Sequence, residues 1–322
     1  MARASVLTLA LYQFLSIIRG ARGEPLMDRR GRITSHLSGL IYRTANLVEN
    51  GIRVVYVFDG APPALKEAEI RRRARVRTEA LAKYEEALRE GRVEEARRYA
   101  QVAATLKDYM VEDAKRLLNL LGVPWVQAPS EGEAQSAYMA RRGDVWASAS
   151  QDFDSLLLGA PRLVRNLSIT GRRKLPKKRV WIKIEPELIE LEGLLRSLGI
   201  TREQLIDIGI LIGTDYNPQG VKGIGPKKAL KLIKEYGSLE GVLPHLKGVE
   251  FPHPLEKIRE LFLRPQVTDR YSLRWRYPDE EGVVSFLCGE RDFSEERIRK
   301  ALEKFKAGME RIRGRTTLES WF

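Results

Sequence analysis

Residues 4–18 begin with a short apolar run that predicts a strand passing into a helix, and the glycine-punctuated stretch "GARGEPLMDRRGRIT" predicts a loop or hairpin. In "TSHLSGLIYRTANLVENG" apolar residues recur at helical spacing. Thr34 or Ser35 stands where a cap belongs and Gly51 ends the helix. "IRVVYVFDG" is an unbroken apolar strand closed by an Asp-Gly turn. The next stretch, 65–122, is helical by propensity but too polar for a core, so it is expected to project from the body. "VPWVQ", "VWASAS" and "RLVRN" then read as strands, with "SEGEAQSAYMARRG" a helix between the first two. Strands alternating with helices imply an α/β fold with a mostly parallel sheet flanked by helices.

In such sheets ligands collect beyond the carboxyl ends of the strands. Asp59 follows one strand, Glu131 and Glu133 open the helix after a second, and Asp152 and Asp154 follow a third. Five carboxylates on one edge oppose their own ionisation unless divalent cations sit among them, so the series reads as a metal site. Each acid also has a local alternative. Ser130 and Glu133 form an S-x-x-E capping box, Glu131 suits a helix N-terminus, and Asp59 and Asp152 suit turns. The D-x-D of Asp152 and Asp154 also admits a phosphatase of the aspartyl-phosphate type, which leaves the rest of the chain unexplained.

Composition narrows the partners. Among 322 residues, 56 Lys and Arg stand against 43 Asp and Glu, a formal net charge of +13, which favours a polyanion such as nucleic acid. A lone Cys288 rules out an internal disulfide framework, and three scattered histidines leave little for a zinc site, so any metal would be held by oxygen. The N-terminal apolar run is interrupted by Tyr12 and Gln13 and is not read as a signal peptide. No stretch is long and apolar enough to span a membrane.

A second constellation is "LIDIGILIGTDYNPQGVKGIGPKKALKLIKEYG". Two helices flank a hairpin with Gly220, Gly223 and Gly225, and Pro226, Lys227 and Lys228 start the second helix. Exposed N–H groups there, beside lysines, suit a DNA phosphate. A dinucleotide fingerprint fails because a helix, not a strand, precedes the glycines. Asp215 lies just before the hairpin and can join the acidic edge. Lys66 and Arg73 are two helical turns apart on one face, within reach of one phosphate, although a charge run is also an ordinary solvated face. "RLVRNLSITGRRKLPKKRVWIK" carries nine basic residues around a turn and reads as a backbone-contacting hairpin.

Together "ALYQFLSIIR", "RITSHLSGLIYRT", "ENGIRVVYVFDGAPPALK", "APSEGEAQSAYMA", "SQDFDSLLLG" and "LIGTDYNPQGVKGIGPKKAL" resemble, in order and spacing, the structure-specific 5′ nucleases, most closely the archaeal and eukaryotic flap endonucleases. "TTLESWF" resembles that family's sliding-clamp-binding box. The resemblance implies a PIN-like nuclease core over 1–200 with a helical arch at 66–120. It also implies a helix-hairpin-helix DNA-binding region at 201–245, a C-terminal region at 246–312 packing on the core, and a clamp-binding tail at 313–322. It implies two Mg2+ ions, one served by Asp59, Glu131 and Glu133, the other by Asp152, Asp154 and Asp215. Lys66 and Arg73 would polarise the scissile phosphate, Tyr12 would stack on a base at the duplex end, and Thr34 would contact a one-nucleotide 3′ flap. Gly223, Gly225, Lys227 and Lys228 would hold the duplex backbone, with a K+ ion on main-chain carbonyls of the hairpin. The partners implied are branched DNA with 5′ flaps and a sliding clamp, with no membrane. The chain would act as a monomer in the cytoplasm of an archaeal-type cell, associated with the nucleoid.

Two positions depart from the family pattern. Val6 stands where the family's N-terminal strand ends in aspartate, and the family's leading segment is absent. A misassigned start is the reading preferred here. The alternative is a non-catalytic DNA- and clamp-binding protein. Arg315 replaces the usual glutamine of the clamp box, while Leu318, Trp321 and Phe322 keep its apolar plug.

Overall fold

Along the chain the elements are β1 (Ser5–Thr8), α1 (Ala10–Ile17), α2 (Ser35–Glu49), β2 (Val54–Phe58), α3 (Glu67–Arg89), α4 (Val93–Val102), α5 (Asp108–Leu121), β3 (Trp125–Gln127), α6 (Gly132–Arg142), β4 (Ala147–Ala149) and α7 (Asp154–Leu157). They continue as β5 (Arg162–Arg165), β6 (Gly171–Lys174), β7 (Trp181–Ile184), β8 (Glu187–Glu190), α8 (Leu191–Leu198), α9 (Arg202–Ile212), α10 (Pro226–Tyr236), α11 (Leu239–Val242), α12 (Leu255–Leu263), α13 (Glu280–Val284) and α14 (Glu295–Glu319). The computed structural model describes residues 5–8, 10–167, 171–174, 181–246 and 248–319. Two units emerge. The first comprises Met1–Phe58, Arg72–Gln127 and Arg270–Phe322, the second Asp59–Arg71 and Ala128–Asp269.

In the first unit β1, β2 and β3 pair in parallel, with Val6 opposite Val55 and Tyr56 opposite Trp125. Every residue of β2 is buried, as its unbroken apolar sequence requires. Helix α2 buries Leu37, Leu40, Ile41, Ala45 and Val48, the stripe its periodicity predicts. Against it packs α14, where Gly308 permits the approach: a Cβ there would meet the Val48 carbonyl oxygen at 2.2 Å. Lys304 adds an ion pair to Glu49 at 3.1 Å.

The charged stretch 65–122 departs in part from the expectation that it projects. Helix α5 buries Met110, Ala114, Leu117, Leu118 and Leu121, so its last third belongs to the core. Helix α4 is tethered as well, since Arg97 donates to the Ala21 carbonyl at 2.6 Å and Tyr12 donates to the Ala104 carbonyl at 3.0 Å. Apart from Glu69, the buried positions of α3 and α4 are small residues, Ala80, Ala87, Ala96 and Ala100, which polarity averaged over a window conceals.

The second unit carries β4 parallel to β5, β8 antiparallel to β5, and the antiparallel hairpin β6–β7. Its core gathers Ile206, Ile210, Leu211, Ile233, Leu239 and Phe262 from α9 to α12. Helices α9 and α10 flank the glycine hairpin as the sequence predicts, with Pro226 in the first turn of α10 and Gly225 at its cap. Gly220 adopts φ +52°, and a Cβ there would lie 2.2 Å from the Ile212 carbonyl oxygen, so only glycine closes this turn.

Two local expectations are corrected. Neither Thr34 nor Ser35 caps α2: Thr34 makes no side-chain cap bond, and the Ser35 hydroxyl instead accepts from the Leu26 N–H at 2.9 Å. The capping box at Ser130 and Glu133 does not form, because Glu131 occupies the cap position and Glu133 turns to Ser150. In both cases a long-range partner outcompetes the local one.

Candidate active site

All six carboxylates expected to hold metal lie in the second unit. Asp59 directly follows the last residue of β2, and its Oδ1 accepts from the Gly132 N–H at 2.7 Å. Glu131 caps α6 and Glu133 stands in its first turn. Asp152 and Asp154 follow β4, with Asp154 starting α7. Asp215 sits in a turn between α9 and the glycine hairpin. Asn217 holds that turn by accepting from the Thr214 hydroxyl at 2.6 Å and donating to the Ile210 carbonyl at 2.7 Å.

The acids feel one another. Burial, then the charge of Asp154, pushes Glu133 well above the usual carboxylate range; Asp152 and Asp59 add to the rise, and the Ser150 hydroxyl opposes it. Burial also raises Asp154, to about 6, and Asp215, Asp152 and Glu131 reinforce the shift. Asp59 is raised by burial against the favourable Gly132 N–H. A carboxylate set that resists its own ionisation is suited to hard divalent cations with oxygen ligands.

One cation of the chain already lies among these acids. The Lys66 ammonium is ion-paired to Glu131 Oε1 and lies 2.8 Å from Asp215 Oδ2. Burial lowers its pKa, but Glu131 and Asp215 together outweigh that and raise it above the ordinary lysine value. The other oxygen of Glu131 accepts from the Tyr216 hydroxyl, whose pKa rises through burial and then through the Glu131 charge. Asp59, Glu131, Glu133 and Asp215 direct oxygens at Gly132, Lys66, Tyr216 and Ser150, and no three His, Cys, Asp or Glu side chains among the described residues are arranged to hold a metal ion. The donor chemistry fits magnesium. Closing the set around an ion requires Glu131 to exchange protein partners for the metal.

Tyr216 and Ser150 were not singled out by the sequence reading. Each adjoins a chosen acid motif, in "GTDYN" and "SQDFD", and neighbours of metal ligands commonly orient them.

The remaining candidates are placed as follows. Lys227 and Lys228 are exposed in the first turn of α10, and open space surrounds Gly223, at φ +80°, and Gly225. This surface leaves room for a backbone phosphate to approach main-chain N–H groups. Arg73 is exposed, two turns beyond Lys66, on the part of α3 that belongs to the first unit. Tyr12 is partly covered: the Arg77 guanidinium lies 5.1 Å over its ring and donates to its hydroxyl at 3.2 Å. Thr34 is buried, its N–H donating to the Leu26 carbonyl at 2.7 Å. Leu318 lies within the α14 backbone, while Trp321 and Phe322 fall outside the described residues.

Comparison with known proteins adds a second line of evidence. Residues 7–80 match the XPG N-terminal domain and residues 122–215 the XPG I-region. The chain is 63% identical over 314 residues to flap endonuclease 1 of Hyperthermus butylicus, covering 97% of this chain and 90% of that protein. It is 58% identical over 313 residues to flap endonuclease 1 of Pyrococcus furiosus, covering 97% and 91%. Flap endonuclease-1 from Methanococcus jannaschii superposes with a TM-score of 0.74 at 44% identity, covering 96% of this chain and 94% of that one. The catalytic core of Rad2 in complex with DNA substrate shares the fold, with a TM-score of 0.70 at 23% identity over 94% of this chain and 92% of that one.

Proposed function

This chain belongs to the flap endonuclease family, and from that premise we propose that its acidic cluster hydrolyses the phosphodiester at the base of a 5′ flap with two Mg2+ ions. The observation that carries the reading is the convergence of Glu131 and Asp215 on the Lys66 ammonium, beside Glu133 and Asp154, each raised by burial and by neighbouring carboxylates. As a member of this family the chain is a metal-dependent, structure-specific DNA nuclease. Asp59, Glu131 and Glu133 would hold one ion and Asp152, Asp154 and Asp215 the other. Bound there, the ions would activate water and offset charge on the leaving oxygen.

The protein's own groups prepare the site. Lys66 is poised to pass from Glu131 and Asp215 to the scissile phosphate, exchanging two carboxylate contacts for the substrate's negative charge. Arg73, two helical turns on, would join it there. Tyr216 keeps one Glu131 oxygen fixed while Lys66 leaves the other. Lys227, Lys228, Gly223 and Gly225 would bind the duplex backbone, where main-chain carbonyls of the hairpin would also hold K+. Tyr12 and Thr34 would meet the duplex end and the 3′ flap. The basic stretch 162–183 would add contacts to the DNA backbone. The chain would work as a monomer at the nucleoid, recruited to a sliding clamp by Leu318, Trp321 and Phe322.

Single-turnover cleavage of a double-flap substrate in saturating Mg2+ tests the reading. Cleavage at the flap base, increased by Val6→Asp, supports it. DNA binding without cleavage in either form would favour the non-catalytic alternative, for which Val6 in β1 is the specific ground.

A further inference from the structure

Three fully buried serines form a chain of hydroxyls that the chemistry above does not use. Ser136 donates to Ser148 at 2.6 Å, and Ser148 shares a 3.1 Å bond with Ser155. Each comes from a different element: Ser136 from α6, Ser148 from the middle of β4 and Ser155 from α7.

Their places in the chain link them to the acids. Ser136 lies three residues after Glu133, so the two share one face of α6, and Ser155 directly follows Asp154. Ser150 lies two residues after Ser148, on the same side of an extended chain. Its hydroxyl donates to Glu133 and accepts from the Asp152 N–H at 3.1 Å. Helix α6 therefore meets the β4 segment at two hydroxyl rungs one helical turn apart, Glu133 with Ser150 and Ser136 with Ser148. One rung would leave the helix free to pivot, whereas two fix its position and its rotation. The Ser148–Ser155 bond adds α7 to the same frame.

The surrounding apolar positions cannot do this alone. Ala134, Ala137, Ala147 and Ala149 are buried beside the serines in sequence, and such small side chains interlock little. A hydroxyl pair holds only near one distance and angle, and a buried hydroxyl left unpaired is costly, so the chain resists any shift that breaks a bond. Resistance is needed here, because Glu133, Asp152 and Asp154 carry like charges.

We propose that Ser136, Ser148 and Ser155 are positioning residues: their hydroxyl chain holds α6 and α7 on β4, so that Glu133, Asp152 and Asp154 are set for divalent cations before any ion arrives. The proposal rests on the metal assignment of those acids.

The test uses the full chain with Mn2+ alone as the probe and no DNA. Free Mn2+ is followed by electron paramagnetic resonance, and denaturant midpoints are measured in EDTA. Ser148→Ala leaves two buried hydroxyls without their partner, so it should lower both the midpoint and the Mn2+ affinity. The triple variant Ser136→Ala/Ser148→Ala/Ser155→Ala removes every hydroxyl of the chain and should regain most of the midpoint. Its Mn2+ dissociation constant should nevertheless stay about three- to tenfold above the parent's, below the range for a group bonded directly to a ligand. A merely structural role requires the affinity to recover with the midpoint, and that result would overturn the proposal. Asp154→Asn supplies the reference. If it binds Mn2+ as the parent does, the metal reading fails and the positioning role with it; if it loses binding while the triple variant keeps parent affinity, only the positioning role fails.

Discussion

Lys66 lies 2.8 Å from Asp215, so the cation assigned to the substrate phosphate is ion-paired to an acid assigned to metal. Under the proposed roles, the pair would tie phosphate recognition to assembly of the carboxylate set. Lys66→Ala should slow single-turnover cleavage roughly tenfold or more, since it removes the donor proposed to meet developing charge. Lys227→Ala should instead weaken binding and lower the salt slope by about 0.9. Stopped-flow cleavage and salt-titrated binding separate the two, and a matching profile for both variants would contradict the division of roles.

Asp154→Asn removes a negative charge from the middle of the cluster without changing its size. Cleavage should fall at least about a hundredfold, as expected when a ligand to a catalytic ion is lost, with flap affinity within about threefold of the parent. Near-normal cleavage would remove Asp154 from the metal site.

Tyr216→Phe deletes the hydroxyl that holds Glu131 and keeps the ring, which meets Phe262 edge-on at 5.4 Å between centroids. The Mg2+ concentration giving half-maximal cleavage should rise about three- to tenfold, the range of a lost orienting bond. Flap affinity in Ca2+ should hold. A drop in cleavage at all Mg2+ concentrations with an unchanged half-maximal value would mean that Tyr216 does not act through Glu131.

His36 is fully buried in α2, and neither ring nitrogen has a hydrogen-bond partner. Burial lowers its pKa to about 4 from the ordinary 6.5, with the opposing charge of Asp113 outweighed. The folded chain therefore binds fewer protons than the unfolded one between these values. Above about pH 6.5 His36 adds no pH dependence, and stability falls as the pH drops from there to about 4, by up to roughly 3 kcal/mol. Denaturant midpoints at pH 7 and pH 4.5 should show a loss that His36→Gln reduces. An equal loss in the variant would assign the acid sensitivity elsewhere.

Truncation after Arg313 should leave isolated flap cleavage within about twofold and abolish stimulation by a sliding clamp, because a few apolar anchors dominate a small interface. Clamp stimulation that survives truncation would place the contact elsewhere.

Much of the site was legible in the sequence because strand ends and turn glycines are local features. Asp59, Glu131 and Asp152 each stand just past an apolar run, and Gly220 with Pro226 marks the hairpin whatever the rest of the chain does. The excess of lysine and arginine pointed to a polyanionic partner for the same reason: charge is additive and needs no geometry. The tertiary structure decided which of several available partners each polar group takes. Glu133 had a local mate in Ser130 and chose Ser150, while Glu131 is shared between Lys66 and Tyr216, residues from distant parts of the chain. Burial likewise drew α5 into the core although the stretch 65–122 that contains it is highly charged. Hydrogen bonds and burial are settled by proximity in space, and for residues far apart in sequence that proximity exists only once the strands and helices have packed.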